Sequence, residues 1–343
     1  MKQDNVRHYR CPADKSALSL ADGELVAGEI VSGTLVSAAG RRYPIEHGLP
    51  NLIYPPELSL IEAKTKAEYD RVADEIYDRA VDWQFKAFYE DENKVRETMV
   101  DLLEVKPGMR VLEVGCGTGR DSFRLARRLG QGDLHMQDLS PAMVRVCRHK
   151  MAGFQKDLGF TCTLEYSASN ASWLPYPDGY FDALFHFGGF NHFSDLKNAA
   201  AELTRVVRKG GRVLFGDEAV APWLKGTEFD GIVSINNPLF KENAPLAVLP
   251  ASARDVTVRW LIANCFYVIA YTRGEDGPPP LDLDLPHTGV RGGSMRSRYF
   301  GVMEGVTPDT KELVRKAAAK AGTSIHEWLE HQLRAAADKE LGS

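Results

Sequence analysis

From residue 106 to 215 the chain alternates between two rhythms of apolar and polar positions. Short apolar runs at 111–114, 133–137, 160–166, 181–185 and 212–215 have the length and make-up of buried strands. Between them, 120–129, the stretch opening at Ser140-Pro141, and 196–207 place apolar residues at helical spacing. Ser140 suits an N-cap and Pro141 the first helical position, while Gly130 closes the helix before it. Pro177-Asp178-Gly179 and Lys209-Gly210-Gly211 read as turns. Strands alternating with helices predict an α/β fold, a parallel sheet wound with helices on both faces. The apolar stretch 256–272 supplies the last two strands of a seven-stranded sheet. In such sheets a ligand sits beyond the carboxyl ends of the strands.

The flanks follow other rules. Residues 1–54 show short alternating runs broken by Gly and Pro, a small β-rich module. Pro55-Pro56 marks a linker, and 57–105 is helical in rhythm with no internal break except the turn Lys106-Pro107-Gly108 after it. Its Ile76, Tyr77, Ala80, Trp83, Phe85 and Phe88 offer more apolar surface than one helix face needs, either as core or as a lid over a ligand. The organisation is therefore a module at 1–54, a helical lid or linker at 55–105, the α/β domain at 106–275, a loop at 276–295 and a tail at 296–343. Residues 217–289 read as an insertion or extended cap, within which the W-L-K-G-T-E-F-D-G and N-N-P-L-F-K stretches are expected to shape a substrate pocket. In the tail, 297–302 reads as a strand. Thr307-Pro308 opens a helix that runs to Gly322, and Ser324 to Glu327 has capping-box spacing for a second.

Composition narrows the function. A net charge of -5 gives no global attraction to nucleic acid or anionic membrane. No apolar run is long enough to span a bilayer, and the polar N-terminus lacks a leader's apolar core. Five scattered cysteines with no C-x-x-C pair suggest reduced thiols and a cytoplasmic protein.

The chemistry gathers at the predicted strand ends. V-L-E-V-G-C-G-T-G-R runs from 111 to 120, so Gly115, Cys116, Gly117 and Gly119 form a tight turn after the first strand. Arg120 stands where a dinucleotide fingerprint needs its third glycine, and no P-loop Gly-Lys-Ser/Thr follows. Glu113 before the turn would repel a pyrophosphate but suit a cationic ligand. The second strand ends in Gln137-Asp138-Leu139, placing a carboxylate where ribose hydroxyls are read. Asn170-Ala171 follows the third strand, where a side-chain amide can read an adenine edge. His186 and His192 follow the fourth; either packs structurally or serves as a general base.

These motifs, with W-L-P-Y-P-D-G-Y-F-D and L-T-R-V-V-R-K-G-G-R-V-L, resemble the class I S-adenosylmethionine-dependent methyltransferases, near the ubiquinone/menaquinone branch. The resemblance covers roughly 69–215 and implies a Rossmann-like sheet ending in an antiparallel pair. It implies S-adenosyl-L-methionine as cofactor, with the 115–119 turn at its methionine end, Asp138 on the ribose, and Asn170 with the Ala171 amide on the adenine. The family often has Asp where Asn170 stands. Tyr77 is implied as an aromatic over the methionine moiety. No metal is expected.

Two weaker resemblances flank it. Y-R-C-P-A-D-K and Y-P-I-E-H-G-L-P resemble the zinc-ribbon-like module that precedes many bacterial methyltransferases. Only Cys11 remains of its two C-x-x-C pairs, with Asp14 and Ser37-Ala38-Ala39-Gly40 elsewhere, and one thiolate cannot build a zinc cage. The tail resembles the ribbon-helix-helix fold, which exists as an intertwined dimer, so a homodimer is expected. The expected activity is methyl transfer to a small organic acceptor. The alternatives are a cofactor-sensing DNA-binding regulator, or a tRNA or protein methyltransferase. Arg291, Arg296 and Arg298 either grip an anionic acceptor or lie in a solvated loop.

Overall fold

A computed structural model describes residues 1–73, 75–290, 292–299 and 306–342 of the chain. They fall into two units, Met1–Pro278 and Pro279–Ser343. The first begins with a 3-10 turn, Gln3–His8, and a four-stranded antiparallel sheet: β1 (Leu18–Val26), β2 (Glu29–Ser37), β3 (Arg42–Glu46) and β4 (Leu49–Pro50). Three helices follow, α1 (Leu60–Val72), α2 (Glu75–Ala87) and α3 (Glu92–Leu103). The α/β part runs β5 (Arg110–Val114), α4 (Ser122–Leu129), β6 (Asp133–Asp138), α5 (Pro141–Leu158), β7 (Thr163–Ala168), β8 (Phe181–Phe187), α6 (Leu196–Arg205) and β9 (Val207–Glu218). Helix α7 (Glu228–Asn236) then precedes the hairpin β10 (Ala253–Leu261) and β11 (Phe266–Arg273).

The seven-stranded sheet has the order β10-β11-β9-β8-β5-β6-β7, parallel from β9 to β7 and antiparallel at the last two pairings. The order reverses at β5, whose neighbours are β6 and β8, and this switch point opens a crevice beyond the strand ends. Strands β5 and β8 are nearly continuous runs of buried residues, as a sheet covered on both faces requires. Ser140 caps α5 through Met143 N, and Gly130 and Gly159 stop α4 and α5 in positive φ.

Of the boundaries that differ from the sequence reading, three change the strands. The third strand starts at Thr163 rather than at 160. Lys209-Gly210-Gly211 is no turn between elements but a bulge inside β9: pairing with β8 jumps from Phe181–Val207 to Ala183–Arg212. The strand then continues past 215 to Glu218, so Asp217 belongs to the sheet and not to an insertion.

The N-terminal module is fused to the sheet rather than tethered to it. Leu52 N donates to Ala168 O at 2.7 Å and Arg10 N to Pro175 O at 2.9 Å. Tyr9, Leu35 and Ile45 share one buried cluster with Tyr176 and Phe181. Inside this junction His135 of β6 is fully buried among Phe181, Tyr176 and Tyr180, at ring-centroid distances of 5.1, 5.5 and 5.9 Å. Neither of its ring nitrogens has a partner among the described residues, and burial depresses its pKa far below the usual value. Below about pH 6.5 the unfolded chain therefore takes up a proton that the folded chain refuses, and stability falls by up to about 1.4 kcal/mol per pH unit from this group. His135→Phe removes that penalty. Its stability relative to the parent should rise by roughly that slope as pH drops from 6.5 to 5.5, read from urea unfolding at each pH. Parallel curves for the two proteins would show that His135 protonates in place.

The second unit holds α8 (Met295–Tyr299), α9 (Pro308–Ala321) and α10 (Ile325–Leu341). Thr307 caps α9, Gly322 ends it, and Ser324 with Glu327 forms the expected capping box. The strand expected at 297–302 is not found where it can be checked: Ser297 to Tyr299 are helical, and 300–302 lie outside the described residues. The local pairing of Ser297 with Ser294 turns this segment into a helical turn, and the ribbon element of a ribbon-helix-helix unit has no counterpart among the described residues.

Candidate active site

A cavity of about 420 Å³ opens beyond the ends of β5, β6, β7, β8 and β9, roofed by α1 and α2. Its floor is the glycine turn. Gly115, Gly117 and Gly119 take φ of +68°, +52° and +90°, and a Cβ on Gly115 would meet His186 Nδ1 at 3.2 Å. Gly117 lies under the Tyr77 ring. The turn is tied to the next strand end, because Cys116 N donates to Gln137 O at 3.0 Å and Gly117 N to Asp138 Oδ2 at 3.0 Å. Asp138 Oδ1 accepts from Ser140 N at 2.8 Å. Desolvation in the enclosed cleft pushes the Asp138 carboxyl up to about 6 despite these bonds. Leu139, Asn170 and Ala171 continue the wall. Asn170 Oδ1 caps the short turn that follows by accepting from Ser172 N, and its Nδ2 donates to Glu62 Oε1 at 3.2 Å.

The roof is latched by three carboxylates, each reaching the loop after a different strand. Glu62 of α1 accepts from Asn170 and, at 2.9 Å, from Ser194 Oγ. Asp70 accepts from Ser140 Oγ at 2.6 Å. Asp78 of α2 accepts from Thr118 Oγ1 at 2.6 Å and Arg120 Nε at 3.0 Å, and pairs with Lys150. Burial alone would push the Asp78 carboxyl up; Lys150, Thr118 and Arg120 reverse that and hold it below its usual value. Arg120 also pairs with Asp82 and Glu92, at 2.7 and 2.8 Å. The residue that disqualifies a dinucleotide fingerprint thus anchors α2 and α3 to the glycine turn.

The predicted site residues meet here with two exceptions: Gly119, which turns toward Cys147 of α5, and Glu113. Glu113 does not line the cavity. It is buried beneath the turn and accepts from Ser122 Oγ, and burial raises its carboxyl well above the usual value. His186 lines the wall with Nδ1 2.7 Å from Val114 O. A carbonyl only accepts, so Nδ1 carries the proton and Nε2 holds a lone pair, buried and without a partner. Burial lowers its pKa and keeps the ring neutral. His192 is half-buried, edge-on to Tyr69 at 6.4 Å, and Tyr69 is edge-on to Tyr77 at 6.0 Å. Burial pushes the Tyr77 phenol up to about 12, so it works as a neutral ring and hydroxyl.

Beyond the histidines the walls turn apolar, with Phe85, Phe187, Phe193, Ile262 and Phe266. One polar residue there was missed in the sequence: Glu218, at the end of β9. Its neighbour Asp217 is fully buried and accepts from Gly189 N at 3.1 Å and Asn191 N at 2.5 Å. An acidic pair closing a strand was the available signal, by the same logic that found Asp138. The stretches around Trp223 and Phe240, expected to shape the pocket, are absent from its described lining and stand behind it. Phe240 backs Phe266 at 5.6 Å, and Asn237 Nδ2 reaches Glu218 Oε1 at 3.4 Å.

Residues 111–211 match the family described as Methyltransferase domain. The chain carries a methyltransferase domain over this segment. Residues 77–137 of it also match the family of Protein-L-isoaspartate(D-aspartate) O-methyltransferase. The domain is 34% identical over 116 residues to the ubiquinone/menaquinone biosynthesis C-methyltransferase of Teredinibacter turnerae, and 33% to that of Edwardsiella ictaluri. Each alignment covers 34% of this chain and 45% of the relative, so the chain spans less than half the length of these relatives. Among solved structures, a SAM dependent methyltransferase from Aquifex aeolicus aligns with 53% of this chain and 94% of its own, at 19% identity and a TM-score of 0.38. The Haemonchus contortus phosphoethanolamine N-methyltransferase 2 in complex with S-adenosyl-L-methionine aligns with 68% and 63%, at 15% identity and a TM-score of 0.47.

In the second unit, Arg296 forms a two-pronged pair with Asp284, and Arg298 donates to Gly292 O; Arg291 lies outside the described residues. Among the described residues no helix is long and apolar enough to cross a membrane.

Proposed function

We propose that the chain transfers a methyl group from S-adenosylmethionine to a small organic acceptor. One observation carries this reading: the matched segment supplies a glycine turn, an acidic strand end and an amide-bearing loop, and all three border one lidded cavity. The residues fit the cofactor. Gly115 and Gly117 line the cavity in positive φ, where a side chain would be strained, which leaves backbone for the methionine end. Asp138 keeps a free lone pair on each oxygen for the ribose hydroxyls, and Asn170 Oδ1 has a second lone pair for an exocyclic amine beside the Ala171 amide. Glu113 is withdrawn from that set.

When bound, the cofactor supplies an electrophilic methyl on a sulfonium. The chain's task is then alignment and dryness, which are worth on the order of 7–11 kcal/mol in well-oriented reactions. The latched α1–α2 roof excludes water, and Tyr77 and His192 border the space where an acceptor arrives. His186, neutral with a bare Nε2, accepts a hydrogen bond there, and His192 is the alternative base.

The flanking parts support accessory roles. Cys11 is buried with its sulfur 3.2 Å from the Tyr43 hydroxyl, in keeping with a ribbon-like module that packs and orients rather than holds zinc. Leu313, Leu333 and Leu341 are exposed on α9 and α10, which supports an oligomerising tail. Free cysteines suit a cytoplasmic setting.

The test is incubation of the purified chain with methyl-labelled S-adenosylmethionine and fractionated cell extract. Label is expected in the small-molecule fraction. Label in tRNA or protein would move the acceptor to those classes. Cofactor binding without turnover, with genomic fragments shifted in a gel, would replace the enzyme by a cofactor-sensing DNA-binding regulator.

A further inference from the structure

The charges around the cavity are unevenly balanced. Both arginines on its wall are spent: Arg96 pairs with Glu92 and Asp121, and Arg120 with Asp78, Asp82 and Glu92. No described cation pairs with the lining carboxyls Glu62, Asp138 and Glu218, nor with Asp217 behind Glu218. A bound cofactor of net charge +1 offsets one of these groups and leaves the far end acidic. A phosphate or carboxylate placed there would find no free guanidinium and would face the Asp217–Glu218 pair at close range. Independently, His186 Nε2 is a buried acceptor with no donor, on a ring held in that tautomer by Val114 O. The bare nitrogen calls for a ligand that donates a hydrogen bond, and the carboxyls without a described cation call for one that carries positive charge.

We propose that the acceptor is an amine on an apolar, ring-sized body without phosphate or carboxylate, and that Glu218 receives its nitrogen. This rests on the methyltransferase reading and names the substrate class for that site. Phe187, Phe193, Phe266 and Ile262 enclose the body, and the aromatic faces add attraction for an ammonium. The arriving ammonium gives one proton to the Glu218 carboxylate; the N–H bond breaks, an O–H bond forms, and the neutral nitrogen keeps the lone pair it needs as a nucleophile. Burial beside Asp217 raises the Glu218 carboxyl well above its ordinary value, which makes it a stronger base than a solvated glutamate.

The experiment loads the full chain with S-adenosylhomocysteine and titrates three probes that share a phenyl body: 2-phenylethylamine, 2-phenylethanol and 3-phenylpropionate. The amine should bind at least tenfold more tightly than the alcohol, and the acid should bind least. Glu218→Gln, close in shape, should cost the amine at least tenfold while leaving S-adenosylhomocysteine affinity and the melting temperature unchanged. Glu218→Asp should restore part of the amine affinity. Preference for the acid, equal binding of the three, failure of all three to bind, or full amine affinity in Glu218→Gln would each overturn the proposal. Failure of the methyltransferase reading shows separately, as failure of the loading step.

Discussion

Asp138→Ala is expected to weaken S-adenosylmethionine binding well beyond tenfold. Two effects add. The carboxylate that would accept both ribose hydroxyls is lost, and hydrogen bonds to an ionised acceptor are about twice as strong as neutral ones. The same side chain also ties Gly117 N and Ser140 N together, so its removal frees the glycine turn from the strand beside it. The pH dependence separates this from simple loosening. The Asp138 carboxyl is pushed up to about 6 by desolvation, and a protonated acid accepts fewer bonds. The ligand selects the ionised form, so parent affinity should hold above pH 6 and fall by up to about tenfold per pH unit below it. Asp138→Ala should lack that fall. Calorimetry from pH 7.5 to 5 reads both quantities. Unchanged affinity in the variant would remove Asp138 from the ribose assignment.

The glycine turn, Asp138 and the Asn170 loop were legible because each is a local requirement: a positive φ, a strand end, a cap. The alternation that announced β5 to β8 is equally local, and the last two strands were found because β11 is apolar and buried from Phe266 to Tyr271. What could not be read depends on contacts between distant residues. Glu113 looked poised to face a ligand, yet strand alternation turns it beneath the turn onto Ser122, nine positions on. The three latches Glu62, Asp70 and Asp78 sit in a charged helical segment where nothing marks them apart from solvated neighbours; only folding brings Ser194, Ser140 and Thr118 to them. Glu218 was missed for a different reason. Two glycines suggested a turn at 209–211, the strand after it was read only as 212–215, and the acidic pair at its true end fell into the supposed insertion. A bulge tolerates those glycines without ending the pairing. The tail shows the limit of pattern alone, since its two capped helices follow the sequence while the strand before them does not.

Arg96→Met should destabilise the chain by about 3–5 kcal/mol, the cost of leaving a buried charge without its partner. Arg96 of α3 is 5% exposed, between Glu92 Oε1 at 2.6 Å and Asp121, with the Phe85 and Phe187 rings 5.5 and 6.0 Å from its guanidinium. Burial works against its charge, and Asp121 and Glu92 outweigh it to hold the guanidinium above its ordinary value. Glu92 survives the substitution because Arg120 still grips both its oxygens. Asp121 does not: it is buried, one of its oxygens already has no partner, and no other described cation bonds to it. The loss should appear as a lower urea midpoint in the ligand-free protein. Methionine fills similar space between the two rings, so the change tests charge more than volume. Adding Asp121→Asn to Arg96→Met should therefore recover at least about 1 kcal/mol, because the orphaned charge is gone and an amide of the same shape remains. A single variant within about 1 kcal/mol of the parent, or a double variant no more stable than the single, would show that Asp121 is solvated in the folded chain and that packing alone explains the site.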